Sequence, residues 1–187
     1  DPYKLIQPVE QKIRERLGDV VYGVDDDTLE SVVVNLLIES GKTIATAESC
    51  TGGLIAERIT SIPGASQVFL QGVVAYSNQS KIERLKVSKD TLAKYGAVSH
   101  QTAEEMVKGI IETSGADIGV AVTGIAGPGG GSKDKPVGLV YIGIGDKRGF
   151  LCVKKYNLLG DRKRVQQSSA SLALDSIRRA LLNGEIG

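Results

Sequence analysis

Apolar residues recur at helical spacing in four parts of the chain. In each part they stand three or four residues apart, which places them on one face of a helix. The four stripes are Val9, Ile13 and Leu17; Leu29, Val33, Leu36 and Leu37; Ala103, Met106, Val107, Ile110 and Ile111; and Ala170, Ala173, Leu174, Ile177 and Leu181. Local signals predict several ends: Asp27 with Glu30 begins the second helix, Gly41 ends it, Ser99 caps the third, and residues 160–161 begin the last.

Short apolar runs between these helices predict β-strands at residues 42–47, 67–76, 118–122, 137–144 and 150–156. The run from Gln67 to Tyr76 is apolar enough to predict a buried strand. Shorter helices are expected at 53–61, 77–85 and 88–95. Residues 145–149 are typical of a hairpin turn. Strands that alternate with helices predict a single α/β domain of three layers, α/β/α, and the late β-hairpin makes its sheet mixed.

The first 26 residues are more polar than the rest and end in the acidic run 25–27. We expect residues 1–26 to form a connector or arm with one short helix, and residues 27–187 to form the compact domain. Because the chain begins at Asp1 rather than at Met, we also expect it to be a piece of a longer protein or a processed product.

Composition narrows the possible partners. The chain has 23 Lys and Arg against 22 Asp and Glu, and only 4% aromatic residues without Trp. Balanced charge and few aromatic rings argue against nucleic acid as a partner, and an apolar run of about 18 residues, as a membrane helix needs, is absent. Cys50 and Cys152 do not have the spacing of a zinc site. With no apolar signal segment at the start, we expect reduced thiols and a cytoplasmic protein.

The first candidate for chemistry follows the predicted strand 42–47. Ser49 and Cys50 stand side by side, and Thr51, Gly52 and Gly53 open a helix. This order suits a nucleophile, either the serine or the cysteine, held against free backbone N–H groups that bind an anion or a developing oxyanion. The alternative is a helix cap with glycines for a tight turn and a small buried cysteine.

Two more polar clusters follow other strands. Tyr76 ends an apolar strand, and Lys81 comes five residues later; a lysine acts as a general base only if its pKa falls well below about 10.4, and otherwise it is a solvated helix lysine. The glycine-rich segment 123–131 suits phosphate binding by backbone N–H groups, although it is neither a Walker A loop nor a dinucleotide fingerprint, and the alternative is a flexible surface loop. Ligands tend to bind at the carboxyl ends of strands, so we expect the Ser49, Tyr76 and Thr123 clusters to converge.

Two other parts of the chain hold residues that could take part in chemistry. His100, the only histidine, would be needed for a Ser-His-Asp triad, but its position in the first turn of a helix favours an exposed residue. Arg162, Lys163 and Arg164 begin the last helix, where positive charge opposes the helix dipole. That conflict suggests that they hold an anion, and the alternative is a solvated charge cluster.

Several segments in this order resemble one family. They are T-A-E-S-C-T-G-G at 46–53, G-V-V-A-Y-S-N at 72–78 with Lys81, G-A-V-S at 96–99, V-T-G-I-A-G-P-G-G at 122–130, P-V-G-L-V-Y-I-G at 136–143 and Gly160-Asp161-Arg162. Together they resemble the CinA C-terminal domain, the nicotinamide-nucleotide amidase family, over about residues 27–183. In longer CinA proteins a connector like residues 1–26 follows an N-terminal domain similar to molybdopterin-binding proteins.

The resemblance implies an activity and roles for residues. The family hydrolyses the carboxamide of nicotinamide mononucleotide to nicotinate mononucleotide and ammonia, with no metal or organic cofactor. Matched by motif, Ser49 is the nucleophile, Lys81 the general base and Tyr76 a partner that orients or relays the proton. The substrate, a pyridine mononucleotide, would be bound by two groups of residues: Cys50, Thr51, Gly52 and Gly53 at the reacting carbonyl, and Thr123, Gly124, Gly127 and Arg162 at the phosphate.

The resemblance also leaves points open. It implies a homo-oligomer, and it implies a second arginine near position 166 and an acidic residue at position 100, where this chain has Gln166 and His100. The glutamine could weaken phosphate binding. The alternative function is a non-catalytic module that binds a nucleotide or a protein partner.

Overall fold

Two helices precede the first strand. In the computed structural model, which describes residues 2–186, α1 spans Pro2–Leu17 and α2 spans Leu29–Ser40. α1 is longer than the short helix that we predicted, and it has no buried residue. The prediction that Asp27 caps α2 is wrong. Thr28 has the extended backbone of a cap and exchanges hydrogen bonds with Ser31, whereas the Asp27 carboxylate accepts from the N–H of Val24.

The other strands and helices follow one another in the predicted order. They are β1 Ile44–Glu48, α3 Leu54–Thr60, β2 Phe69–Val74, α4 Asn78–Leu85, α5 Lys89–Tyr95, α6 His100–Ser114, β3 Ile118–Gly124, β4 Leu139–Asp146, β5 Leu151–Asn157 and α7 Arg162–Leu182. Three predicted ends are confirmed. Gly41 ends α2 in a left-handed conformation, Ser99 caps α6, and Asp161 caps α7 by accepting from the N–H of Arg164.

The five strands form one mixed sheet in the order β2-β1-β3-β4-β5. β1 runs parallel to both β2 and β3, whereas β4 is antiparallel to β3 and forms the predicted hairpin with β5. Each face of the sheet has its own hydrophobic cluster. One is built with α2, α3 and α7 around Leu37, Ile59 and Leu174, and the other with α4 and α6 around Leu85 and Met106. The three-layer α/β/α fold is therefore confirmed.

The strand predicted to be buried is an edge strand. β2 pairs only with β1, and its residues alternate between half-buried and exposed, with Leu70 and Val74 each 49% exposed. The prediction of a buried strand from apolar composition is therefore wrong. Composition alone does not reveal strand order, and an edge strand can leave one face open to solvent.

The segment after α1 is attached to α7. The buried Arg178 donates to the main-chain oxygen of Asp19 and to the carboxylate of Asp175, and Arg179 forms ion pairs with the same two aspartates. None of the helices within residues 2–186 has both the length and the apolar character needed to cross a membrane.

Candidate active site

A cavity of about 250 Å³ lies where β1, β2 and β3 end. Because the three strands are parallel to one another, the segments that follow them meet at the same edge of the sheet. The structure thus brings the three polar clusters together. The lining residues come from the ends of these strands, from α4, from the turn before α6, from the glycine-rich loop and from the start of α7: Ser49, Cys50, Tyr76, Lys81, Ala97, Val98, Thr123, Gly124, Ile125, Ala126, Gly127, Gly129, Gly130 and Arg162.

Ser49 and Lys81 are in direct contact inside this cavity. Ser77 caps α4, and the next turn of the helix directs Lys81 inward, where it is only 1% exposed. Its Nζ lies 3.0 Å from Ser49 Oγ and donates to the main-chain oxygen of Ala75 at 2.7 Å. Burial lowers the pKa of Lys81 because the ammonium form loses its water. A lysine in this setting can accept the proton of the serine hydroxyl.

Burial favours the protonated form of Cys50, the cysteine beside Ser49. Cys50 is 5% exposed and belongs to the cluster between the sheet and α7. Burial raises the pKa of its thiol to about 11. The side chain therefore stays a neutral thiol near pH 7, and a thiol is a much weaker nucleophile than a thiolate.

The turn after Ser49 has most of its N–H groups bonded within the protein. Glu48, buried beneath the turn, accepts from the N–H groups of Gly53 at 3.0 Å, Ile55 at 3.1 Å and Ala56 at 2.9 Å, so its carboxylate occupies the start of α3. The N–H of Gly52 donates to Ser49 O at 3.1 Å. Gly52 and Gly53 therefore do not present free donors to a ligand.

The N–H groups of Cys50 and Thr51 differ from those of the two glycines. Among residues 2–186, no other residue accepts a hydrogen bond from either of them, and the N–H of Cys50 contacts its own thiol. The residue directly after a nucleophile commonly contributes an oxyanion donor, and that residue here is Cys50. Of the four residues predicted to bind the reacting carbonyl, Cys50 lines the cavity, whereas Thr51, Gly52 and Gly53 do not.

Tyr76 and Arg162 pair at the mouth of the cavity. The tyrosine is 61% exposed, and its Oη accepts from Arg162 Nη2 at 2.8 Å. Nη1 of the same guanidinium donates to the main-chain oxygen of Gly127 at 3.0 Å, so Arg162 also contacts the glycine-rich loop. In the described chain, no hydrogen bond joins Tyr76 to Ser49 or Lys81.

The glycine-rich loop forms one wall of the cavity. Thr123, at the end of β3, is fully buried and donates to the main-chain oxygen of Ala97 at 2.7 Å, so its hydroxyl supports the opposite wall. Gly124 and Gly127 line the cavity itself. Gly127 has φ of 85°, a conformation that favours glycine, and a side chain there would collide with Val137.

The contacts of three residues escaped the sequence analysis. Glu48 holds the turn after Ser49. Lys135, which follows the glycine-rich loop, donates to the main-chain oxygens of Tyr95 at 2.6 Å and Val98 at 2.7 Å, and Gln166 donates to Cys50 O at 2.8 Å. Only Glu48 had a usable signal, because an acidic residue just before a helix favours contact with its N–H groups.

Two other expectations concern residues outside the cavity lining. His100 lies in the first turn of α6, half exposed, with its Nδ1 3.9 Å from Glu104. Gln166 does not line the cavity either. Across residues 2–186, no group of three or more His, Cys, Asp and Glu side chains is placed to hold a metal ion.

A mixed α/β sheet with a buried serine–lysine pair at the carboxyl ends of its parallel strands defines the class of this domain. The chain belongs to the CinA C-terminal domain family of competence/damage-inducible proteins: the family model matches residues 26–181. It is 54% identical over 178 residues to a CinA-like protein of Kosmotoga olearia. That match covers 95% of this chain but 43% of the relative, so the chain spans less than half of the longer protein.

Solved structures show the same fold. The competence/damage inducible protein CihA from Agrobacterium tumefaciens matches with a TM-score of 0.80 and 41% identity, over 82% of this chain and 93% of that one. The competence damage-inducible protein A (ComA) from Klebsiella pneumoniae matches with a TM-score of 0.80 and 36% identity, over 82% and 95% of the two chains.

Proposed function

We propose that this domain is an amidase that hydrolyses the carboxamide of nicotinamide mononucleotide, with Ser49 as the nucleophile. The observation that carries the proposal is the contact of 3.0 Å between Ser49 Oγ and the Nζ of Lys81. Burial lowers the pKa of Lys81, which favours the neutral amine that a general base needs. The pKa of Cys50, raised to about 11, argues against the thiol as the nucleophile.

The chemistry follows from these contacts. The neutral Lys81 takes the proton of Ser49 as Oγ attacks the carboxamide carbon, and the N–H group of Cys50 stabilises the oxyanion. The lysine then gives the proton to the departing nitrogen, so that ammonia leaves and an acyl-serine remains. Water, deprotonated by the same lysine, attacks the acyl carbon, and nicotinate mononucleotide leaves as Ser49 regains its proton.

Tyr76 and Arg162 supply the recognition at the mouth of the cavity. Because Arg162 donates to the oxygen of Tyr76, the phenol keeps its own proton for a substrate or for the leaving nitrogen. A guanidinium beside a glycine-rich loop suits a phosphate, which accepts hydrogen bonds from both charged side chains and backbone N–H groups. These contacts support a substrate that is an amide and carries a phosphate, as nicotinamide mononucleotide does.

The test is ammonia release from nicotinamide mononucleotide by the wild type, Ser49→Ala and Cys50→Ala. We expect release by the wild type and by Cys50→Ala, and none above background by Ser49→Ala. Release by Ser49→Ala together with no release by Cys50→Ala would instead assign the nucleophile to the cysteine. Binding of the mononucleotide without turnover by the wild type, with affinity unchanged in Lys81→Ala, would support the alternative of a non-catalytic binding module.

The role of the phosphate is tested by comparing substrates. Nicotinamide riboside lacks the phosphate, and its loss should lower kcat/KM by about 10- to 100-fold, as expected for a charge-assisted contact. The Arg162→Met variant should lose most of the difference between the two substrates. Equal kcat/KM for both substrates in the wild type would mean that the phosphate is not recognised.

A further inference from the structure

Lys81 lies in the buried part of the cavity without a carboxylate to balance its charge. Its side chain lines the cavity and is 1% exposed, and Nζ contacts Ser49 Oγ at 3.0 Å and Ala75 O at 2.7 Å. The charged form of a lysine has three N–H donors. Within residues 2–186, these two oxygens are the acceptors for Nζ, so the ammonium form has one donor left for a ligand.

The charges around the cavity are positive. Arg162 lies at the mouth and Lys81 inside, and the other titratable side chains of the lining are Cys50 and Tyr76. Within residues 2–186, no Asp or Glu lines the cavity. The carboxylate of Glu48 accepts from three N–H groups at the start of α3 instead, and α6, which packs against α4, buries only uncharged residues. The cavity therefore suits a ligand that carries a negative charge at each end.

The proposed reaction creates a carboxylate beside Lys81. In the acyl-serine, the carbonyl carbon is bonded to Ser49 Oγ, the atom that lies 3.0 Å from Nζ. Water adds its oxygen to this carbon, and the bond to Oγ breaks. The carboxylic acid that forms gives its proton to the amine, because a carboxylic acid is far more acidic than an ammonium group. Each turnover therefore ends with a carboxylate next to an ammonium group.

We propose that Lys81 also binds the carboxylate of the product, so that nicotinate mononucleotide is a competitive inhibitor that binds together with a proton. The inference rests on the proposed function, which places this carboxylate at Ser49. The carboxylate accepts the remaining N–H donor of the ammonium group and supplies the negative charge that the cavity lacks. The carboxamide of the substrate is uncharged and cannot supply it.

The dependence on pH follows from the two states of Lys81. In the empty cavity burial lowers the pKa of the amine, whereas an adjacent carboxylate raises it. Between these two pKa values the free protein has a neutral amine and the complex an ammonium group, so binding takes up one proton. Affinity for the product is therefore highest below the lower pKa, and it falls as the pH rises through this window, by up to about ten-fold per pH unit.

Calorimetry with two ligands that differ in this one group tests the proposal. Nicotinate mononucleotide and nicotinamide mononucleotide are titrated into Ser49→Ala, which lacks the proposed nucleophile, in two buffers of different ionisation enthalpy. The pH is varied between about 7 and about 10, where the amine titrates and the phosphate does not. We expect uptake approaching one proton with the carboxylate and none with the amide. Near pH 7 the carboxylate should have a Kd about 10- to 100-fold lower than the amide.

Two further variants, made in the Ser49→Ala protein, test whether the amine is the cause. Lys81→Met keeps a long side chain without the charge, and it should bind both ligands with similar Kd and without proton uptake. Lys133→Met, which replaces an exposed lysine after the glycine-rich loop, should behave as its parent. A preference for the carboxylate that survives in Lys81→Met would overturn the inference. Equal proton uptake with both ligands in Ser49→Ala would overturn it too, whether or not Lys81→Met folds.

Inhibition of ammonia release by the wild type separates this inference from the proposed function. The product should compete with the substrate, and its inhibition constant should rise with pH across the window in which kcat/KM also rises. Ammonia release with an inhibition constant that does not change with pH would overturn the inference and keep the function. A wild type that releases no ammonia but binds the carboxylate with proton uptake would overturn the proposed function and support the carboxylate site.

Discussion

At the scale of single residues, the environment of Lys81 is the feature that most favours chemistry. Lysine side chains are almost never fully buried, because burial disfavours the charged form. Here the amine is in contact with two oxygen atoms, Ser49 Oγ and Ala75 O, and no carboxylate within residues 2–186 forms an ion pair with it. A site that holds an amine in this way stabilises its neutral form, which is the form a general base requires.

This environment predicts how activity depends on pH. In the proposed mechanism the neutral amine is the active form, so kcat/KM should rise with pH as Lys81 loses its proton. Because burial lowers the pKa of Lys81, the midpoint of this rise should lie below about 10.4, the value for a free lysine. Ammonia release measured over a range of pH tests this. A rise centred at 10.4 or above would contradict it, and Lys81→Met should lose roughly 100-fold or more at every pH.

The same lowered pKa predicts a change of stability with pH. Between the pKa of folded Lys81 and about 10.4, the unfolded chain binds a proton that the folded protein does not bind. The free energy of unfolding of the wild type should therefore rise with pH across this window, relative to that of Lys81→Met. Urea unfolding of both proteins at several pH values measures the difference. The surface variant Lys133→Met should follow the wild type, and parallel curves for wild type and Lys81→Met would contradict the prediction.

At the scale of elements, one lysine joins the two walls of the cavity. The four carbonyl oxygens of residues 95–98, from the last residue of α5 into the turn before α6, all accept hydrogen bonds from side chains. Lys135 donates to those of residues 95 and 98, Ser99 and Thr102 to that of residue 96, and Thr123 to that of residue 97. Lys135 lies in the segment that continues the glycine-rich loop, on the other side of the cavity. Its two hydrogen bonds therefore fix the distance between that loop and residues 95–98.

Replacing Lys135 by Met should make the glycine-rich loop more mobile and should leave the contact between Ser49 and Lys81 unchanged. We expect KM for the mononucleotide to rise about ten-fold with kcat nearly unchanged, because only the binding wall is affected. Amide hydrogen exchange in residues 124–138 should become faster. Lys133→Met is the matched control, an exposed lysine of the same loop. Wild-type exchange in Lys135→Met would show that the loop holds its position without this contact.

The elements also show what a sequence can and cannot predict. Helix stripes such as that of α6 were predictable because the spacing of apolar residues is a local property. The exposure of β2 was not, because it depends on strand order. Ser49, Tyr76, Lys81 and Thr123 could be grouped because each follows or ends a strand. The contacts of Lys135 and Gln166 with main-chain oxygens, up to 116 residues away along the chain, leave no local pattern.

At the scale of the whole molecule, α1 and the elements that follow it contribute unequally to the packed structure. α1 contributes no buried side chain. The segment that follows it contacts α7 through Asp19, whose main-chain oxygen and carboxylate accept from Arg178 and Arg179. Arg178 is 2% exposed and pairs with Asp175 as well, so the contact is anchored inside the domain.

Removal of residues 1–17 should therefore leave the domain intact. We expect the free energy of unfolding to change by less than about 1 kcal/mol, because the removed helix has no buried residue. Ammonia release should stay at the level of the untruncated chain. Arg178→Met, made in the untruncated chain, should cost about 1–3 kcal/mol, because it leaves the main-chain oxygen of Asp19 without its donor and the carboxylate of Asp175 paired with Arg179 alone. Urea unfolding of the three proteins compares these values. A truncated chain less stable than Arg178→Met would mean that α1 supports the domain in spite of its exposure.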